Sequence, residues 1–245
     1  MSVVFFIKIA GLTVKISSLY PLSKELCRDY LTEPSQNPDI LVNVSKEQLQ
    51  YELETAKEPT TCEYAEFICI YRAIAEKLPS FGAFVFHGAA ISYKDGAYLF
   101  TAPSGTGKST HILLWRKYLG KAVDIINGDK PVIRITDDGI LVCSTPWAGK
   151  ENWQKNRTLP LSAITFLSRS KEPSISQENP ANCLKKIMNQ IYMPKNSESL
   201  AKTLELIDLM LSRIPVYRLG CDISEQSVKV AFEGLTKEEY KKAGV

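Results

Sequence analysis

The segment Phe100-Thr-Ala-Pro-Ser-Gly-Thr-Gly-Lys-Ser-Thr110 constrains this chain more than any other part of it. It follows the apolar run from Ala97 to Thr101. It opens an amphipathic stretch, about Lys108 to Tyr118, that carries Ile112, Leu113 and Trp115 at helical spacing. Strand, glycine loop and helix in that order are the setting of a phosphate-binding loop. Gly105 and Gly107 lack side chains, so the backbone N–H groups of Ser104 to Thr110 can wrap a polyphosphate closely. The helix N-terminus adds partial positive charge. Lys108 places a cation on the outer phosphates, and the Ser109 hydroxyl can ligate a Mg²⁺ that bridges them. The first position of the motif is Ala102 where the strict form has glycine. The implied ligands are ATP and Mg²⁺.

The rest of the chain sets the frame. With 245 residues, 44% hydrophobic and 23% charged, it can bury a proper core. Its net charge of +3 comes from interleaved Lys/Arg and Asp/Glu, which argues against nucleic acid or an anionic membrane as partner. The six cysteines form no Cys-x-x-Cys pair, and the two histidines cannot make a metal site by themselves. The apolar run Val3-Val4-Phe5-Phe6-Ile7 is short, lacks a basic leader and is cut by Lys8. No run of about 18 apolar residues exists to cross a membrane. Scattered thiols without a secretory signal predict a cytoplasmic protein.

Periodicity predicts an α/β protein with a mixed sheet, since strands outnumber simple β-α alternation. Residues 5–17 read as strand, turn, strand, and Ser23 is a plausible N-cap for a short helical piece to Tyr30. Ser45-Lys-Glu-Gln48 reads as a capping box, and Glu63 to Leu78 as a helix ended by Pro79. Three short strands follow, the last two joined at Asp95-Gly96. A strand into Asn127-Gly128-Asp129, a hairpin around Asp137-Asp138-Gly139, and a strand from Leu161 to Leu167 come next. Helices from Pro180 to Tyr192, Glu198 to Arg213 and Ser224 to Gly234 close the chain, with a strand at Val216 to Leu219. The change of texture at Pro79 divides the chain into an N-terminal α+β subdomain, 1–80, a phosphate-loop domain, 81–236, and a tail, 237–245, read as a solvated helix or tail.

Chemistry beyond binding needs an acid. Asp129 is the best candidate, because a single helix and return strand separate it from Lys108 and bring it to the carboxyl edge of the sheet beside the loop. Its alternative is an ordinary turn aspartate. Lys150 could meet phosphate and Glu151 could hold metal or acceptor, unless Trp147 to Asn152 is simply a surface loop. Arg157 and Arg218 are further phosphate contacts or else surface charges.

His87-Gly88, the glycine loop and the strand into Asn127-Gly128-Asp129, in that order, resemble the HPr kinase/phosphorylase catalytic domain and the ATP-dependent phosphoenolpyruvate carboxykinases. Pro146-Trp-Ala-Gly-Lys150 is similar to a segment of small bacterial proteins of that superfamily. The likeness covers residues 84–150 well and 151–235 faintly. It implies an HPr kinase/phosphoenolpyruvate carboxykinase-like nucleotide-binding core, with phosphates and Mg²⁺ on Lys108 and Ser109. It implies that Asp129 is the second of two adjacent acids and His87 the active-site histidine. Where the family has its first acid, this chain has Gly128. The expected activity is a Mg-ATP-dependent kinase for a hydroxyl, a serine on a small protein or peptide acceptor. A nucleotide-binding sensor or scaffold without transfer, and a small-molecule phosphotransferase, stay open as alternatives, as does a homo-oligomer.

Overall fold

The computed structural model describes residues 3–56 and 58–242. The N-terminal part forms a three-stranded sheet from β1 (Val3–Ile9), β2 (Leu12–Ser18) and β3 (Ile40–Asn43), with β2 central, antiparallel to β1 and parallel to β3. Strict alternation buries Leu12, Val14 and Ile16 on one face of β2. Three helices accompany this sheet: α1 (Leu22–Leu26), α2 (Lys46–Thr55) and α3 (Cys62–Lys77). The Ser45–Gln48 capping box is present in full at α2. Ser23 is not the cap expected of it. Pro21 holds that place, while Ser23 is buried and its hydroxyl donates to the Glu66 carboxylate at 3.3 Å. Glu66, wholly buried on α3, also accepts the N–H groups of Leu19 and Tyr20, which satisfies its charge and pins the chain leaving β2.

The remaining strands form a nine-stranded mixed sheet that curls about one long strand. They are β4 (Ala83–Val85), β5 (Ala89–Tyr93), β6 (Gly96–Thr101), β7 (Val123–Asn127), β8 (Val132–Thr136), β9 (Gly139–Cys143), β10 (Thr158–Arg169), β11 (Ser174–Glu178) and β12 (Val216–Cys221). The start of β10 pairs antiparallel with β9, which leads through β8 to β4. Its later residues run parallel between β6 and β12. Beyond β6 lie β5 and β7, both antiparallel steps. Helices α4 (Lys108–Leu119) and α7 (Glu225–Thr236) pack on one face through Ile112, Trp115, Val228 and Phe232. Helices α5 (Pro180–Met188) and α6 (Ser197–Arg213) pack on the other through Ile187, Ile207 and Met210. Each such buried side chain contributes about 1.5–3 kcal/mol of transfer free energy. The N-terminal sheet keeps its own strands but shares its core, because Phe67, Ile70 and Leu78 cluster with Ala83 and Val132 of the larger sheet and with Trp147 in the loop between β9 and β10.

Several boundaries differ from the sequence reading. Tyr93 pairs with Gly96, so the hairpin turn is Lys94-Asp95, with Lys94 at φ 52°. β10 begins at Thr158 rather than Leu161, and β11 has a surface pattern that hid it. α5 stops at Met188, short of Tyr192, because the chain turns to bridge Ile191 to Phe86 beside β4. α7 ends at Lys237 in the left-handed region; the tail beyond is non-helical over its described part, and Tyr240 packs back on the α7 side of the core. No helix among the described residues is long and apolar enough to cross a membrane.

Candidate functional site

Strand pairing alone draws the site together. Ala89 pairs with Phe100 and Ala90 with Asn127, so the start of β5 and the ends of β6 and β7 meet at one edge of the sheet. His87, the glycine loop and Asp129 extend from those three strand ends. β10 and β12 run parallel to β6 and deliver Arg169 and Cys221 to the same edge. Ligands of α/β sheets gather at the carboxyl ends of parallel strands for this reason.

The glycine loop turns on Gly105 at φ 77° and Gly107 at φ 116°, where other residues would be strained. A Cβ at either position would meet nothing within 4 Å, so backbone conformation and not space favours glycine there. Gly107 is the N-cap of α4 and gives it no side-chain cap, which leaves the first-turn N–H groups free for an anion. Lys108 is nearly buried, and its ammonium donates to the Ala102 carbonyl at 2.9 Å. Burial lowers its pKa, while the nearby Asp129 carboxylate opposes that shift. Arg169, which the sequence did not single out, donates to the Gly105 carbonyl at 2.9 Å and latches the loop to the end of β10.

Opposite stands a wall of fixed side chains. The side-chain oxygen of buried Asn127 accepts the N–H groups of Asp129 and Lys130 at 2.9 and 2.8 Å. Its amide donates to the Thr145 carbonyl at 2.9 Å. These bonds aim Asp129. Its carboxylate lies 3.3 Å from His87 Nε2 and is paired with the Lys130 ammonium. Burial would raise the Asp129 pKa, but the His87 hydrogen bond and the Lys130 charge outweigh it and hold the group at about 2. His87 Nδ1 is 3.1 Å from Gln190 Oε1, and the His87 N–H donates to the Gln190 carbonyl. Gln190 was invisible in the sequence, since it reads as the end of α5; Lys130 was signalled only by adjacency to Asp129.

One cleft of about 550 Å³ holds His87, Ser104, Gly105, Gly107, Lys108, Ser109, Thr110, Asp129, Lys150 and Glu151. Thr106 lines the neighbouring cavity behind the loop. Lys150 and Glu151 are exposed at the rim, and Lys150 lies 3.4 Å from Glu58. Arg157 and Arg218 line neither space. Arg157 is engaged by Asp124 at 3.2 Å beside β7, and Arg218 by Glu178 at 3.1 Å across β11 and β12. Gly128 is closed to a side chain, because a Cβ there would stand 2.8 Å from the Ala148 carbonyl. Its N–H donates to the Trp153 carbonyl, which draws the Trp147–Trp153 loop against that position.

No protein-family model matches the chain, and no curated protein matches it. Among solved structures it is similar to the Hpr(Ser) kinase/phosphatase from Coxiella burnetii, at 9% identity and a TM-score of 0.37 over 62% of this chain and 88% of that one. The likeness is distant and carries no function, so the reading below is drawn from the cleft itself.

Proposed function

We propose that the chain is a Mg-ATP-dependent kinase that phosphorylates a hydroxyl, a serine of a small protein or peptide. The observation that carries this reading is the convergence of the glycine loop, Lys108 and Ser109 with His87 and Asp129 in one cleft. The loop amides and Lys108 supply positive charge along a triphosphate. Nucleotide-borne Mg²⁺ takes only one or two protein ligands, with phosphates and water completing its shell. Ser109 and the ionised Asp129 fit that need, and the ion would neutralise charge between the outer phosphates.

The acceptor side is supported by a second cavity of about 380 Å³ that shares Tyr64, Asp129, Gly149 and Lys150 with the cleft and is backed by Phe67 and Trp147. A hydroxyl entering there meets Asp129. In the transfer its oxygen bonds to the γ-phosphorus, the bond to the β,γ-bridging oxygen breaks, and ADP leaves. A carboxylate held at about 2 is a weak proton acceptor. Its work is to orient the hydroxyl and to take the proton late, as a loose transition state permits. Residues 1–80 supply part of this wall through Leu26, Tyr64 and Phe67.

A second reading has its own observation. Gly128 leaves no room for the first acid of the resembling family, and Lys130 already neutralises Asp129. Both favour a nucleotide-binding sensor or scaffold that transfers nothing.

The test uses purified protein, Mg²⁺ and γ-labelled ATP, offered candidate peptides and a metabolite panel. Asp129→Asn is expected to cut label transfer on the order of 10²–10⁴-fold and to leave ATP affinity within a few-fold. Lys108→Ala is expected to remove ATP binding in calorimetry. ATP binding without any labelled acceptor would favour the sensor, and no nucleotide uptake at millimolar levels would end both readings.

A further inference from the structure

Behind the glycine loop lies a separate cavity of about 580 Å³, reached from the phosphate cleft past Gly107 and Thr110, which line both. Its size is within the roughly 300–1,000 Å³ usual for small-molecule sites. Its far wall is Cys221, Asp222 and Ile223, where the chain leaves β12 for α7, and its near wall includes His111 of α4.

Two features make this wall more than a gap. Asp222 Oδ1 accepts from the Ser224 N–H, the Ser224 hydroxyl and the Ser227 hydroxyl, which fixes the carboxylate. Oδ2 takes no protein donor among the described residues. Beside it, Ile223 is 77% exposed, the most exposed large apolar side chain among the described residues. An apolar surface next to a fixed acceptor suits a flat ring or sugar that carries N–H or O–H groups. His111 adds a buried aromatic ring to the near wall. The Trp115 indole N–H donates to His111 Nε2 at 3.0 Å, so the ring proton sits on Nδ1, which has no partner among the described residues. Burial keeps that ring neutral, with its pKa pushed down to about 4.

We propose that this cavity seats the nucleoside of the bound triphosphate, with the Asp222 carboxylate accepting an N–H or O–H of the base or ribose and Ile223 covering its face. The inference rests on the reading of the glycine loop as a triphosphate site. Arg169 belongs to both places, since it lines the cavity and holds Gly105, so the nucleoside and the loop that grips its phosphates share one support.

Calorimetry with Mg²⁺ separates the two readings by comparing ATP with inorganic tripolyphosphate on the same protein. Asp222→Asn, which keeps the Oδ1 acceptor for the serines, is expected to weaken ATP roughly tenfold and leave tripolyphosphate unchanged. Ile223→Ser, at an exposed position that folding does not need, is expected to weaken ATP a few-fold with the same indifference to tripolyphosphate. In wild type, 2′-deoxy-ATP losing the same factor assigns the contact to the ribose, and inosine triphosphate losing it assigns the contact to the base amine. Wild-type ATP affinity in both variants overturns the proposal while the loop reading stands. Failure of wild type to bind either ligand defeats the loop reading itself.

Discussion

The two sides of the cleft are built by opposite means. The glycine loop offers backbone: the uncapped first-turn N–H groups of α4, two left-handed glycines whose Cβ positions are empty, and one external latch from Arg169. The wall across from it offers side chains on a backbone that residues distant in sequence hold in place. Asn127 is tied to Thr145, Gly128 to Trp153, and His87 to Gln190. On the proposed reading, the surface that wraps a flexible polyphosphate keeps the first-turn N–H groups of α4 uncapped. On the same reading, the group that meets one hydroxyl is fixed beforehand, and its polar neighbours are satisfied by the protein.

Three perturbations sharpen or break this contrast. The largest is Gly128→Asp, which places a second acid beside Asp129. Its Cβ would press on the Ala148 carbonyl, so the expected result is a loss of about 2–4 kcal/mol in urea unfolding and no gain in transfer. A stable variant with raised transfer would show that the wall yields as readily as the loop.

Next is the acid dependence of Asp129. Its folded pKa of about 2 lies below the ordinary carboxylate range, so its contribution is complete above that range and is lost as pH falls toward 2. The expected contribution is roughly 2 kcal/mol at neutral pH. Stability measured from pH 5 to pH 2 should therefore fall less steeply in Asp129→Asn than in wild type, and parallel curves would mean that the wall does not hold this charge.

Arg169→Ala should have the smallest effect. A latch on one exposed carbonyl is expected to change stability by less than about 1 kcal/mol while weakening tripolyphosphate a few-fold, through a loop that must then order itself on binding. Unchanged tripolyphosphate binding would mean that the loop is rigid on its own.

The same contrast explains what could be read beforehand. The glycine loop is contiguous, so spacing, glycine chemistry and the flanking strand and helix exposed it at once. Asp129 was reachable by one further step, because a single helix and strand return the chain to the same edge. Arg157 and Arg218 were named as cations without knowledge of their neighbours; Asp124 and Glu178 engage them away from the cleft. Gln190, Arg169 and Asp222 stand at or just past the ends of other elements, and no local pattern marks such a place.

What the sequence determined by itself was local: the period of its strands and helices, the Ser45 cap, the loop that left-handed glycines permit, and an α/β chain with a mixed sheet. Tertiary structure decided the rest. It made β10 the strand about which the sheet curls, joined the core of residues 1–80 to Trp147, and sealed Gly128 behind the Trp147–Trp153 loop. These outcomes depend on which surfaces meet across long separations, and burial and register settle that only once the whole chain has packed.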